Sequence, residues 1–359
     1  MRKNYAVALR EFGRFEEALF HLNIVCGMQP DNISVLWDRA DTYLHLGRFK
    51  EGWESYKVRL KGPEMKDRAA SAPLWNGEPL KGKTILIYPE QGFGGTILCS
   101  RYIPMVKMRG GRIILECKEP LQRLFSKIPG IDLIVSSGHS EQDFDYHTPI
   151  MALPGIFNTD LNSIPPLPDF FVPDSPPEGA KRLLDLAKGR FKIGIVWSGS
   201  ITFKNNKKRA VSVERFLPFA QVPGVQLYSL QKGPRESDLR ACGGQGLVLD
   251  MAPYMNDFAD TASILNELDL VIMTDSSVAH LAGSIGTPIW NMLCYQSYWL
   301  YLSERSDSPW YPSMRFFRQP EPGNWDAVFK KVITELETAV ALKQSGSWGI
   351  SNLRRKISG

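Results

Sequence analysis

The chain is poor in cysteine, has no long apolar run and carries almost no net charge. Its five cysteines, Cys26, Cys99, Cys117, Cys242 and Cys294, include no CxxC pair, and their number is odd. That pattern argues against a disulfide framework or a structural zinc site and fits a reducing compartment. No apolar stretch approaches the ~18 residues that a membrane helix needs. The start, Met1-Arg2-Lys3-Asn4, lacks the apolar region of a secretory signal. A cytoplasmic protein with no membrane span is therefore expected. A Gly-x-Ser-x-Gly elbow and a Walker loop are both absent, which disfavours those hydrolase and nucleotide-binding chemistries. Lys plus Arg number 43 against 38 Asp plus Glu, a net charge of +5 over 359 residues. The tail Lys343–Gly359 holds Lys343, Arg354, Arg355 and Lys356 and no acid, so the rest of the chain is nearly neutral. That balance excludes a polybasic nucleic-acid or membrane-surface protein but permits a local anion site. The tail is rich in Ser and Gly and is expected to be flexible. The length implies two or three domains.

What is present begins with an internal repeat. Gly13-Arg14-Phe15 recurs as Gly47-Arg48-Phe49, an offset of 34 residues. At the same offset Ala6 matches Ala40, Glu17 matches Glu51, Ala18 matches Gly52 and Leu22 matches Tyr56, and Pro30 closes the first unit. These residues resemble the tetratricopeptide repeat, in which two antiparallel helices cross at small side chains. Such arrays need about three units to bury their faces, so residues 1–68 read as a partial array. A groove for a protein or peptide and a simple brace for the next domain are both open.

Two α/β halves follow. Lys81–Tyr88 reads as a buried strand, Gln91–Thr96 as a glycine-rich turn, Ile97–Arg109 as a helix, and Arg112–Glu116 as a second strand, which makes a β-α-β unit. Leu121–Lys127 reads as a helix and Ile131–Val135 as a strand. Residues 163–178 contain Pro165, Pro166, Pro168, Pro173, Pro176 and Pro177, a linker or crossing loop that closes a domain over 69–178. Phe191–Trp197 opens a second set over 179–342. Strands are expected at Val225–Leu230, Leu247–Asp250, Leu268–Thr274 and Pro288–Leu293, and helices at Val213–Ala220, Phe258–Glu267 and Ser277–Ser284. Two Rossmann-like halves of this kind bind ligands at the carboxyl ends of their strands.

Several motifs sit at such ends. Asp275-Ser276-Ser277 follows a strand and opens a helix, where free N–H groups and the dipole favour an anion such as a pyrophosphate. His280 lies one turn on, on the same side. The bland alternative is an ordinary N-cap. Trp197-Ser198-Gly199-Ser200 ends another strand and precedes Lys204, Lys207, Lys208 and Arg209, with Lys204 and Arg209 the preferred anion contacts and a solvated charge run the alternative. Gln231-Lys232-Gly233 ends a third strand, as a base or phosphate contact or as a plain turn. Gln91, Gly92, Gly94 and Gly95 form a glycine turn, followed by Glu116 at the end of the next strand. This is near the dinucleotide fingerprint but lacks its third glycine, where Ile97 stands, so an NAD-dependent oxidoreductase is a distant alternative. Asp143-Phe144-Asp145, in an expected loop with Tyr146-His147, is a weak metal–diphosphate candidate, and no metal is expected.

In order along the chain, Pro73–Leu80, Glu90–Gly94, Asp145-Tyr146-His147, Trp197-Ser198-Gly199 with Lys204, Ser229–Gly233, Asp257–Ala262, Asp275–Gly283 and Asp307–Pro312 resemble one group. It is the bacterial tetratricopeptide-repeat proteins fused to a family 9-like, heptosyltransferase-like glycosyltransferase domain. The resemblance implies the GT-B architecture, with two Rossmann-like domains facing a cleft and the donor on the C-terminal one. It implies metal-independent transfer of a sugar from a nucleotide diphosphate donor, with no cofactor, to a protein or glycan acceptor that the repeats can help to hold. It assigns the diphosphate to Ser276, Ser277 and the helix start, with Asp275 and His280 beside it and Lys204 and Lys232 balancing leaving-group charge. One departure stands out. The family pattern Gly-x-Gly-Asp-Thr supplies an aspartate as general base, and Gly95 occupies that position here. Loss of a general base typically costs ~10²–10⁴ in rate. Either Glu90 or His147 substitutes, or the chain is an impaired, scaffold-like descendant.

Overall fold

The computed structural model describes residues 1–61, 72–138 and 143–349. Arg354, Arg355 and Lys356 of the basic tail, and the junction at 68/69, lie outside the described residues. Two compact units emerge. One is Met1–Asp169 with Tyr295–Arg305, and the other is Phe170–Cys294 with the chain from Ser306 onward.

The first unit opens with four helices, α1 (Arg2–Glu11), α2 (Phe15–Met28), α3 (Ile33–His45) and α4 (Phe49–Tyr56). They pack as two hairpins, α1 on α2 and α3 on α4, with α2 against α3. The 34-residue offset has a direct backbone cause. Gly13 and Gly47 end α1 and α3 at φ +69° and +70°, a left-handed conformation that glycine adopts without Cβ strain. Asn32 caps α3 by accepting from the Val35 amide at 3.3 Å. Ala6, Leu22, Val25, Cys26 and Val35 form the core between the hairpins. The matched small residues lie at the crossings, Ala18 being fully buried. A Cβ at Gly52 would lie 2.5 Å from Leu44 Cδ2.

The same unit holds a four-stranded parallel sheet of β1 (Thr84–Tyr88), β2 (Arg112–Cys117), β3 (Leu133–Ser136) and β4 (Tyr146–Pro149), in the order β3-β2-β1-β4. Two expectations change here. The glycine-rich segment is not a turn, because a helix starts at Phe93, with Gly92 as its N-cap, and runs to Cys99. Tyr146-His147 is not a loop but β4, paired in parallel with β1. This short strand has no apolar alternation to announce it. Its outer edge is covered by the chain itself, as the Trp75 amide donates to His147 O at 2.9 Å and the His147 amide to Pro73 O at 3.2 Å.

Residues 163–177 are neither helix nor strand, as six prolines require. The second unit then builds a six-stranded parallel sheet of β5 (Phe191–Val196), β6 (Val225–Ser229), β7 (Val248–Asp250), β8 (Leu270–Thr274), β9 (Ile289–Leu293) and β10 (Met314–Arg318). Its order is β10-β9-β8-β5-β6-β7. The expected helix at 213–220 is a 3₁₀ turn, Val213–Gln221, because Pro218 inside it removes a donor. β10 and the 20-residue helix Trp325–Gln344 were not expected from the sequence. That helix packs Trp325, Val328, Phe329, Val332, Leu336 and Val340 into the core of the second sheet. No helix of the described residues is long and apolar enough to cross a membrane.

Substitution Gly52→Val is expected to overpack the α3–α4 crossing and cost about 1–3 kcal/mol in urea unfolding. Gly27→Ala, on α2 where an added Cβ meets nothing within 4 Å, should instead gain roughly 0.5–1 kcal/mol. Equal effects at the two positions would contradict the helix packing.

Candidate functional site

In the second sheet β5 is flanked by β6 on one side and β8 on the other, so the strand order reverses between β5 and β8. Chain connections leave in opposite directions there and open a crevice at the carboxyl ends. Those ends carry Trp197-Ser198-Gly199 and Thr274-Asp275-Ser276. The sequence expected both segments to matter, and the sheet order is what makes them neighbours.

Arg209 joins them. Its guanidinium donates to Asp275 Oδ2 at 2.8 Å and to Asn206 Oδ1 at 3.3 Å, and it lies 4.4 Å from the centre of the Phe203 ring. Gly199 lies beneath it, where a Cβ would sit 2.5 Å from Arg209 Nη2. Asn206, overlooked in a run noticed for its charge, orders the turn. Its Oδ1 accepts from the Gly199 amide at 3.1 Å, and its Nδ2 donates to Ser198 Oγ at 3.0 Å. Lys204, Lys207 and Lys208 are exposed around this core.

Ser276 is the N-cap of the nine-residue helix Ser277–Ile285, yet its side chain makes no cap hydrogen bond. Ser276 Oγ is buried with no hydrogen-bond partner, and so is Thr274 Oγ1. Orphaned buried hydroxyls are uncommon, and each calls for an explanation such as a water, an ion or a ligand; those of Ser284 and Ser313 are also unpaired. Four backbone N–H groups and the positive end of the helix dipole converge at the same point. Ser277 is half-buried beside them. His280 is buried one turn on, with Nδ1 3.0 Å from Tyr311 Oη. Tyr311 also fixes the helix position, because a Cβ at Gly283 would lie 2.6 Å from its Cγ. Tyr311 was present in the sequence as part of Asp307–Pro312 but carried no assigned role.

Gln231 and Lys232, expected as base or phosphate contacts, have hydrogen-bond partners within the fold. Gln231 is buried, and its Oε1 accepts from the Trp197 and Ser198 amides at 3.2 and 2.9 Å. It closes the end of β5 onto β6. Lys232 donates to Ala252 O at 2.7 Å, tying the end of β6 to the loop after β7.

The first sheet reverses between β1 and β4, and its candidates sit at those ends. Both proposed substitute bases are committed elsewhere. Glu90 accepts from Arg59 Nε at 2.7 Å and Nη2 at 2.9 Å, with its side chain 4% exposed. Burial disfavours the Arg59 charge, but the Glu90 carboxylate outweighs it and raises the guanidinium above its usual range. His147 is buried in β4, its Nδ1 3.1 Å from Tyr88 Oη and its ring stacked on Tyr88. Gln91 donates to Tyr56 Oη at 2.9 Å. Gly92 caps the helix, while Gly94 and Gly95 lie in its first turn. At Gly95 a Cβ would meet Met151 Sδ at 2.9 Å, and Met151 in turn touches Cys99 Sγ at 3.5 Å. A side chain at Gly95 would have to displace the Met151 thioether. Asp145 caps β1, accepting from the Thr84 amide at 2.8 Å. Among the described residues no group of three or more His, Cys, Asp and Glu is placed to hold a metal ion.

No family model matches the chain. Protein FlbA of Caulobacter vibrioides is 29% identical over 371 residues, covering 94% of this chain, which spans 61% of that relative's length. Two solved structures share the fold. A glycosyl transferase family 9 protein from Veillonella parvula has a TM-score of 0.54 at 13% identity, covering 74% of this chain and 99% of its own. E. coli ADP-heptose lps heptosyltransferase II has a TM-score of 0.51 at 13% identity, covering 73% and 99%. The architecture is therefore α/β of the GT-B class, preceded by a helical segment.

Substitution Gln231→Leu leaves two buried amides unpaired and should cost roughly 2–4 kcal/mol in urea unfolding. A residue kept for ligand contact alone would leave stability unchanged.

Proposed function

We propose that this chain is a metal-independent glycosyltransferase that moves a sugar from a nucleotide diphosphate donor to a protein or glycan acceptor in the cytoplasm. The observation that carries it is the orphaned, buried Ser276 Oγ at a helix N-terminus in the strand-order reversal of the second sheet. The leaving diphosphate gains negative charge as the sugar departs, and fixed donors in a water-poor site stabilise that charge without reorganising. In this reading Ser276, Ser277 and the helix start hold the diphosphate. Arg209 and Lys204 supply positive charge, Asp275 keeps Arg209 aimed, and His280 braces the helix through Tyr311. Ser198 and Gly199 form the facing turn. The domains are a partial tetratricopeptide-repeat array over 1–68, an acceptor domain over 69–178 and a donor domain over 179–342. The repeat helices are the natural place for a protein acceptor to dock.

A second reading is favoured by a separate observation. At the first sheet Gly95 lies under Met151, Glu90 is held by Arg59 and His147 by Tyr88. Every base assigned to the acceptor side is missing or engaged, so the chain binds a nucleotide sugar but transfers it slowly, as a scaffold would.

Calorimetric titration with a panel of nucleoside diphosphates, in chelator, tests the first reading. One should bind, and Ser276→Ala should weaken it by about tenfold or more, as expected for a hydroxyl on a charged group. A folded protein that binds none of them sinks the proposal. For the second reading, Gly95→Asp combined with Met151→Ala, which clears the space, should raise nucleotide release from the donor by ~10²-fold. A parent chain that already turns over, with no gain from the pair, removes the impaired reading.

A further inference from the structure

Residues Tyr295–Leu302 follow β9 directly, yet they belong to the first unit and lie on its helices. Tyr295 Oη donates to Phe12 O at 3.2 Å, at the turn after α1. Trp299 is buried edge-on to Trp53, 5.4 Å between ring centres, and to Phe49 at 6.4 Å. Leu302 takes φ +53°, an uncommon conformation for a branched side chain, and ends against Gly47. Such strain persists only where the surroundings over-determine it. The segment is a strap drawn across both hairpins.

One polar contact in this packing has an unusual requirement. His45, the last residue of α3, is 3% exposed and stacked on Phe15. Its Nδ1 lies 2.8 Å from Asp41 O and its Nε2 lies 2.9 Å from Ser297 O. Both partners are backbone carbonyl oxygens, which accept and cannot donate. Both contacts are hydrogen bonds only when each ring nitrogen carries a proton, so the geometry calls for an imidazolium. A buried charge of this kind needs compensation. It comes from the Asp41 carboxylate, 3.3 Å from Nδ1, which is paired in turn with Arg10 of α1, itself bonded to Asp38. From the strap the Tyr298 hydroxyl faces this group, and from α4 the Tyr56 hydroxyl; burial holds both in the neutral form.

At its other end the strap leaves Cys294, the residue after β9. The register of β8 on β9, with Thr274 opposite Met292, puts Cys294 at the same strand ends as Asp275. The chain thus passes from Cys294 to Ser297, the strap's partner of His45, within three residues.

We propose that His45 is a protonated latch on the strap Tyr295–Leu302, and that this latch regulates anion binding at the Ser276–Arg209 site. The second half rests on the diphosphate reading above. Burial alone would lower the His45 pKa, but Asp41 and the two carbonyls outweigh it, so it is raised above the ordinary 6.5. The sign follows. The latch is fully closed below about pH 6.5 and opens as pH rises through the raised folded value.

Hydrogen exchange on the full chain tests the latch, with rates corrected for their intrinsic pH dependence. Between pH 6 and pH 9 the protection of the 295–302 amides should fall by about tenfold or more, the scale of one charge-assisted hydrogen bond, while β8 and β9 stay protected. His45→Gln keeps a neutral donor toward Ser297, so its protection should be lower at pH 6 and flat with pH. His45→Ala should be unprotected throughout. Wild-type protection that is flat with pH, or unchanged in His45→Ala, overturns the latch. Titration with inorganic pyrophosphate at pH 6 tests the coupling. Weaker binding by His45→Ala than by wild type supports it, and equal binding overturns it. Wild type that binds no pyrophosphate overturns the regulatory half together with the diphosphate reading, while the exchange result still decides the latch.

Discussion

A parallel strand cannot turn back into its neighbour through a tight hairpin; the chain must cross over one face and return. Both sheets of this protein are built wholly from parallel pairs. Every strand therefore ends at the same edge, and all the loops with freedom to carry chemistry collect there. The order reversals at β1/β4 and β5/β8 then select one gap in each edge. Residues as far apart in sequence as Gly199 and Asp275 become neighbours through this constraint, and Arg209 needs no long-range design beyond reaching across one gap.

Much of this was legible before any coordinates. The strands of the second sheet are apolar runs bounded by turn residues, because both of their faces are buried. The repeat was legible because Gly13 and Gly47 are fixed by backbone geometry and Ala18 and Gly52 by helix contact. What escaped had physical causes too. β4 spells Tyr-His-Thr-Pro, with no period, and is a strand because β1 and the Pro73–Trp75 segment sandwich it. The Phe93 helix starts within glycines that propensity assigns to a turn, because packing under Met151 overrides propensity. The reach of Arg59 to Glu90, and of Gln231 to the β5 amides, is tertiary and leaves no trace in local spacing.

The same polar residue types serve opposite ends in this chain. Gln231, Asn206 and Asp145 are hydrogen-bonded to backbone amides, and each holds a strand end in place. Removing Gln231 or Asn206 strands a buried or part-buried donor, so stability alone accounts for these two. Ser276 and Thr274 differ because their hydroxyls are buried and unpaired. Leaving such groups without partners costs about 1–3 kcal/mol each. Ser276 stands at the start of the Ser277–Ile285 helix, and Thr274 ends β8 two residues before it.

This contrast separates the two sheets. At β5/β8 the chain keeps polar atoms that its own residues do not satisfy. At β1/β4 the reverse holds. A Cβ at Gly95 would meet a thioether, Glu90 accepts two hydrogen bonds from Arg59, and His147 is stacked on and bonded to Tyr88. Binding and proton transfer place different demands on a site. Binding needs fixed donors, which a rigid helix start supplies. Proton transfer needs a base with a free lone pair within reach of a hydroxyl.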